Sequence, residues 1–483
     1  MGVISMLAGD PNRLYDRELL IDLQMDKILS DRAIRILRAP CPEAMIGLRQ
    51  SLFVSMDDPH FSEKLNDFRS ALLNLSGFVS RWNEPRVNLE KNCIHLHAIS
   101  AYREVCRRLE QLGQTNPLMQ NLWDALDTAE HRELRQGVQA DLSEAFAMVR
   151  AMKHSVFYMA DSAEVADRAW LMKETSVESY EARLIGLAKR LGIEIEPSQE
   201  QSIRLDESFD EAYTTLYPEE IGCIERICDK YPMSVLSAPL IWLDELSFYN
   251  EIHQLCRKAR GKGVAVCIPA IASVPCYRGK NVYDITLTIK NPETIVPNDV
   301  DFSEDTPFYF LTGANGGGKT TYLRAVGANL LLGLAGCPMF AQTAELYPFT
   351  NIFSHFPEAE DFNGMGRLDS ECLRVNRILE RADRGMFVLL NEAFSATDEE
   401  KGLQLAVETA ETMRNRGIFG LFVTHFLEVK TKGFPLLSAV VEDDENHRRT
   451  YRIVRTLGAN SSYAEDILRK YKLDAASLAM RGR

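Results

Sequence analysis

The chain has no long apolar run. The first, Val3 to Ala8, is too short for a secretory leader and lacks a basic flank. None approaches the ~18 residues of a membrane-spanning helix, so no membrane association is expected. Gly2 follows Met1, but Met6 stands where a myristoylation signal needs serine or threonine. Paired cysteines are also missing. Ten cysteines are scattered over 483 residues, and the nearest approach to a pair, Cys223 and Cys228, has no second pair or nearby histidine to complete a zinc site. Free thiols fit a reducing compartment, and the expected location is the cytoplasm. Positive charge is not in excess either. A formal net charge of −14 argues against indiscriminate coating of nucleic acid, although it leaves room for a local basic patch. Two clusters are basic, Arg257–Lys262 and His447–Arg455. Each is more readily read as a solvated face than as a phosphate-binding one.

What remains is ordinary globular material. Hydrophobic residues make up 46% and charged residues 26%, and a chain this long buries a core without staples. Its length suggests about two to four domains. Residues 1–265 read as mostly helical. Leu65, Phe68, Leu72 and Leu75 recur along one helix face, as do Tyr102, Val105, Leu109 and Leu112, with Gly113 as a stop. Leu184, Leu187 and Leu191 form a shorter stripe ended by Gly192, and Leu243, Leu246, Tyr249 and Ile252 another. All four stripes are read as core. The stretch Glu194 to Ser208 is weakly periodic and reads as a loop or junction.

The character changes near Gly261. Ile285, Leu287 and Ile289 alternate with Thr286, Thr288 and Lys290, the period of a half-buried strand. Apolar runs at Phe308–Thr312, Phe387–Leu390 and Phe419–Thr424 then alternate with helical stretches after Lys319 and over Gly402–Met413. Strands alternating with helices predict an α/β domain with a largely parallel sheet over 266–483.

The densest chemical signal is Gly313-Ala314-Asn315-Gly316-Gly317-Gly318-Lys319-Thr320, a full match to G-x-x-x-x-G-K-[ST] between an apolar run and a helix former. Glycines let the backbone curl so that its N–H groups face phosphate oxygens. The helix N-terminus adds partial positive charge. Lys319 reaches toward β- and γ-phosphates, the Thr320 hydroxyl can ligate Mg²⁺, and Thr321 follows in the same turn. The run Met386–Leu390 ends in Asn391 and Glu392. A carboxylate at Glu392 can polarise an attacking water. Asn391 accepts a hydrogen bond near the metal but brings no charge. This predicts either weaker Mg²⁺ retention and slow hydrolysis or a harmless variant. His425, after the Phe419–Thr424 run, is a candidate γ-phosphate sensor; the alternative is a purely structural histidine.

These motifs together resemble the MutS family of DNA mismatch-repair ATPases. Thr312 to Arg324 is similar to the family's TGPNMGGKSTYLR, and Val296-Pro297-Asn298-Asp299 to its VPND segment. Gly336 to Glu345 followed by Ile352-Phe353-Ser354 resembles the helix leading to the IFTR-type strand. Leu389-Leu390-Asn391-Glu392 stands where LLDE is expected, and Thr424-His425-Phe426 where THY or THF is expected. The resemblance covers roughly 200 residues. It implies an ABC-type, MutS-like P-loop ATPase domain (266–483) preceded by an α-helical core and lever domain (1–265), with Leu243 to Ala259 as a returning lever. It also implies ATP and Mg²⁺ as cofactors, a homodimer closing on ATP, DNA (duplex, mismatched or branched) as partner, and repair or recombination proteins as further partners. In that family a serine and a glutamate from one subunit complete the other's site. Gly366 and Glu371 stand in that region, with glycine in place of the serine.

Other departures bear on function. The chain is too short for the family's mismatch-reading and connector domains, and little follows the Tyr463–Leu473 stretch where a dimerisation tail is usual. Phe61-Ser62-Glu63 and Phe209-Asp210-Glu211 have the form of the reader's Phe-x-Glu motif, but three-residue patterns arise by chance. The leading expectation is a DNA-binding ATPase. The alternatives are a weakly hydrolysing, ATP-gated assembly protein acting through protein partners, and the ATPase subunit of a mismatch-repair system with a separate reader.

Overall fold

A computed structural model describes residues 5–7, 9, 13–84, 87–126, 129–152, 154–159, 168–173, 180–192, 207–290, 295–357, 367–441 and 449–456. The chain divides into two compact units. One comprises Met1–Met6 and Asp58–Leu246, the other Leu7–Asp57 and Ser247–Arg483. The sequence suggests a division near residue 265; by packing, the helices over 7–57 group with the C-terminal unit.

Helices run first: α1 Arg17–Asp22, α2 Asp31–Leu37 and α3 Glu43–Met56, then α4 Pro59–Arg81, α5 Asn88–Gly113, α6 Pro117–Leu126 and α7 Ala129–Ala151. An antiparallel hairpin follows, β1 His154–Met159 with β2 Arg168–Lys173. Helices α8 Tyr180–Leu191, α9 Glu207–Leu216, α10 Pro218–Lys230 and α11 Met233–Ser237 lead into α12 Ile241–Gly261. Among the described residues, none of these helices is long and apolar enough to cross a membrane.

The local logic of the first unit is clear in α4 and α5. Asp58 caps α4 by accepting from the His60 and Phe61 amides, and Pro59 sits in the first turn. The α4 stripe Leu65, Phe68, Leu72 and Leu75 and the α5 stripe Tyr102, Val105, Leu109 and Leu112 are both buried. Gly113 is the last helical residue, and a Cβ there would lie 2.8 Å from the Gln120 amide oxygen. The α8 stripe differs from expectation: Leu187 and Leu191 are 53% and 65% exposed, so their spacing does not mark core. Gly192 does end that helix in the left-handed conformation, at φ +70°. Of the expected junction over Glu194–Ser208, all but its last two residues lie outside the described residues. One residue of each Phe-x-Glu triplet makes a structural contact. Phe61 is buried in the first turn of α4, and Asp210 on α9 accepts from the Leu89 amide at the start of α5, 3.0 Å away.

The second unit holds two sheets. Its strands are β3 Ala270–Ile271, β4 Cys276–Val282, β5 Asn298–Ser303, β6 Phe308–Gly313, β7 Thr343–Leu346, β8 Ile352–His355, β9 Phe387–Asn391, β10 Phe419–Val423, β11 Leu436–Val441 and β12 Arg449–Thr456. Its later helices are α13 Ile285–Lys290, α14 Lys319–Leu334, α15 Arg367–Arg381 and α16 Glu399–Asn415. The main sheet has six strands in the order β12-β11-β6-β10-β9-β8, parallel throughout except for the β11–β12 pair. The alternating α/β order and the largely parallel sheet are as expected. A second sheet orders as β3-β7-β4-β5 and is mixed. The α14 helix is buried along almost its whole length. A Cβ at Gly327 would meet Leu389 on one side and Leu23 on the other, so glycine lets the helix close on both. Phe308, Phe310, Val388, Leu390, Phe422 and Leu436 build the opposite face of the main sheet, packed with α15 and α16.

One element is corrected. Ile285–Lys290 is a helix, not the strand its alternation suggests. Asp284 caps it by accepting from the Leu287 amide at 2.8 Å. Burial follows the helix: Ile285, Thr286 and Thr288 are buried, while Leu287 is 37% exposed.

Candidate functional site

The Gly313–Thr320 loop links β6 to α14. It can curl because Gly313, Gly316 and Gly318 take φ of +121°, +72° and +90°, which side-chain-bearing residues rarely adopt. Space is limiting too: a Cβ on Gly313 would stand 3.0 Å from the Ala439 backbone nitrogen on β11. Gly318 is the N-cap of α14, so the free amides of the first helical turn open at the loop. The Lys319 side chain is buried and crosses the loop, donating to the carbonyls of Gly313 and Ala314 at 2.8 and 3.2 Å and to the Asn315 amide oxygen at 3.4 Å. Burial pulls the Lys319 pKa below its usual value, while the Glu392 carboxylate acts in the opposite sense. A low-dielectric cationic group beside unpaired amides favours a bound anion.

Three strand ends converge beside the loop. Asn391 closes β9 and is buried, and its Oδ1 accepts from the Thr320 hydroxyl at 3.2 Å. Glu392 follows at φ +51°, its amide donating to the Val423 carbonyl at 2.8 Å; Phe394, two residues on, takes φ +65°. These are sparsely populated conformations for residues with side chains, held here by the surrounding sheet. Thr424 leaves β10 with its amide on the Leu311 carbonyl at 3.0 Å.

A cleft of about 410 Å³ opens over the loop. Asn315, Gly316, Gly318, Lys319, Thr320, Thr321 and Glu392 line its polar end. Val282, Leu287, Ile295 and Val296 line an apolar side, with Asp284, Asn298 and Tyr451 around them. Gly313, Ala314, Gly317 and Asn391 complete the loop and its support from behind. Tyr451 sits in β12 at φ +57°, and its ring flanks the Gly318 α-carbon, where a Cβ would meet it at 3.4 Å. Asn298 fixes that strand: its Nδ2 donates to the Tyr451 carbonyl at 3.0 Å and its Oδ1 accepts from the Ile453 amide at 2.7 Å.

Not every expected residue converges. His425 is exposed beyond β10, its ring 4.3 Å from that of Phe426, and it does not line the cleft. Glu371 is buried on α15, 3% exposed. Gly366 lies outside the described residues, as do Tyr463–Leu473. Sequence reasoning did not single out Tyr451, Asp284 or the apolar wall. Asn298 stood inside a quoted motif without a role. Tyr451 carries no local signal, because its place depends on the β12 bulge and on Asn298, distant in sequence. In the Arg257–Lys262 cluster, Arg260 pairs with Asp57 and Lys262 donates to the Ile289 carbonyl, so neither is held ready for phosphate. Cys223 and Cys228 are buried on α10, with the Cys228 thiol pushed up to about 12 by desolvation. Among the described residues no group of three or more His, Cys, Asp or Glu side chains is placed to hold a metal ion.

The family model for MutS domain V matches residues 309–464, the span from β6 through the loop, Asn391, Glu392 and His425. Over 161 residues the chain is also 32% identical to the Endonuclease MutS2 of Bacillus cytotoxicus, a match covering 32% of this chain and 20% of that protein. The Endonuclease MutS2 proteins of Bacillus cereus and Bacillus anthracis match at the same identity and coverage. Residues 309–464 thus match a MutS domain V. The chain spans about a fifth of the length of these MutS2 relatives. The MutS domain V carries the whole polar end of the cleft, while Asp284, Ile295, Val296 and Asn298 precede the matched residues.

Proposed function

We propose that this chain is a MutS family member that binds ATP with Mg²⁺ in the cleft and acts as a nucleotide-switched, dimeric DNA-binding ATPase. The observation that carries this is the Lys319–Thr320–Asn391 arrangement at the N-terminus of α14, with Glu392 facing the same cleft. At Gly313 and Gly317 a Cβ would come within about 3.0 Å of Ala439, so glycine lets the loop pack against β11. The loop amides and Lys319 hold the β- and γ-phosphates. The base rests against Ile295, Val296 and Leu287, with the Tyr451 ring at the mouth. The Thr320 hydroxyl and Asn391 amide oxygens are the hard donors that suit Mg²⁺, which supplies charge neutralisation at the phosphates when bound. Glu392 orients and accepts the proton of an attacking water. His425 and a partner's Glu371 and Gly366 region are the remaining candidate contributors. A closing ATP sandwich would grip duplex, mismatched or branched DNA through differential affinity for the two states. Repair or recombination proteins are the expected further partners. The relatives' endonuclease activity is no part of this reading, because the match covers only a fifth of those proteins.

One observation favours a second reading, a weakly hydrolysing assembly protein. Asn391 is neutral and already bonded to Thr320, so the metal side of the cleft lacks a carboxylate at that position. Steady-state ATP turnover and oligomeric state with linear, mismatched and four-way-junction DNA separate the two. DNA-stimulated turnover supports the clamp. Turnover and self-association that ignore every DNA, with no DNA binding at low salt, sink it.

A further inference from the structure

Residues 16–22, at the N-terminal end of the chain, lie far in sequence from the loop yet bind the elements around it. Asp22 closes α1. Its carboxylate accepts from Ser354 on β8 at 2.7 Å and from the Arg374 guanidinium on α15 at 2.5 Å, and both charged side chains are largely buried. Its backbone carbonyl accepts from Arg324 on α14 at 2.9 Å. Arg324 stands one turn beyond Thr320 on the helix that begins with Lys319. Its guanidinium lies 5.2 Å over the Phe356 ring and in the fields of Asp22 and of Asp284, a residue of the cleft wall. At the other end of α1, Asp16 takes a two-pronged contact from Arg381, the last residue of α15.

The charges therefore alternate from cleft to helix: Asp284, Arg324, Asp22, Arg374. Arg374 also donates to the Ser354 and Phe356 carbonyls, so it holds α15 to the edge strand β8 as well as to α1. Glu371 is on that same helix, one turn earlier. Asp22 thus meets two arginines from different helices, Arg374 through its carboxylate and Arg324 through its backbone carbonyl, and separating the buried Asp22–Arg374 pair leaves an uncompensated charge.

We propose that Asp22 is a positioning residue that ties the P-loop helix to the helix carrying Glu371, so that a ligand held at Lys319 and Thr320 moves α15. The proposal rests on the nucleotide reading of the cleft. It assigns α1 a role in coupling the ligand site to α15, where no ligand contact is involved. Coupling of this kind moves both helices together, α14 and α15.

The experiment is hydrogen exchange on the full chain, with and without Mg²⁺ and a non-hydrolysable ATP analogue. In the native protein the analogue slows exchange over 319–334 and over 367–381. In Asp22→Asn the protection over 319–334 persists within about twofold, while the ligand-induced change over 367–381 falls at least about fivefold. Arg374→Gln, which removes the pair from the other side, gives the same split, and the double variant is no worse than either single one. Equal responses of α15 in native and variant chains overturn the proposal, as does an α15 indifferent to ligand while α14 responds. Absence of any protection over α14 in the native chain overturns the nucleotide reading instead, and this proposal with it.

Discussion

Replacing Asn391 by aspartate is the most informative single change at the site. The side chain is 6% exposed and its oxygen sits 3.2 Å from the Thr320 hydroxyl, so the substitution keeps shape and changes charge. Without a cation, the new buried carboxylate has the Thr320 hydroxyl beside it. Burial of an ion costs several kcal/mol even after relaxation, and the hydroxyl's hydrogen bond offsets part of that. A net loss of about 1–3 kcal/mol follows, and each kcal/mol lowers the melting temperature by about 2–4 °C in a unit of this size. A divalent cation ~4 Å away reverses the sign. At an effective dielectric of ~20 its attraction is on the order of 8 kcal/mol, most of which desolvation cancels. A surplus of only ~1.4 kcal/mol is tenfold in affinity. Melting curves should therefore show Asn391→Asp less stable than the native chain in chelator. With ATP, the variant should need about tenfold less Mg²⁺ for half-maximal stabilisation, and its turnover in excess Mg²⁺ should rise. Equal Mg²⁺ midpoints in the two proteins would refute the reasoning.

Three further outcomes are expected. Glu392→Ala should retain nucleotide and, lacking the group that activates water, accumulate as an ATP-bound dimer by light scattering; a purely monomeric profile counts against a site completed in trans. Gly313→Ala should lose about 1–3 kcal/mol in urea unfolding, because the residue sits at φ +121° against Ala439; an unchanged midpoint would show that the loop relaxes freely. In the unit containing 58–246, burial lowers the pKa of His95 below its ordinary 6.5, with Nε2 held 2.7 Å from the Tyr231 carbonyl. Folding thus favours the neutral ring, so its contribution is intact above pH 6.5 and is lost as pH falls through the lowered folded pKa. His95→Gln should flatten that part of the pH–stability curve measured by thermal melts, and an unaltered curve contradicts the assignment.

The polar end of the cleft was legible because its chemistry is local: Gly313–Thr320, Asn391 and Glu392 each sit in a short motif at a strand end. The stripes on α4 and α5 were legible because helix period and burial coincide. The Ile285–Lys290 helix was misread because alternation over so few residues is decided by context, and β propensity is weak evidence there. Asp284 was the missed signal, a helix cap immediately before the run. Leu187 and Leu191 have core spacing but exposed positions, since periodicity identifies a face and not what covers it. The role of residues 7–57 had no local signature at all. Asp22 meets Arg374 across 352 positions, and the Arg49 guanidinium reaches the Ala335 carbonyl across 286. Such contacts become visible only when the sheet and α14 are in place. Asn298 and Tyr451 are the same case, joined across 153 positions.

The central claim is that the loop around Lys319 holds nucleotide. The direct test is a calorimetric titration of the full chain with ATP and Mg²⁺, native against Lys319→Ala. The native chain should bind one ATP per chain, and the variant should lose at least about a hundredfold in affinity, roughly 2.7 kcal/mol. Unchanged affinity in a folded Lys319→Ala protein would place the nucleotide elsewhere and contradict the account.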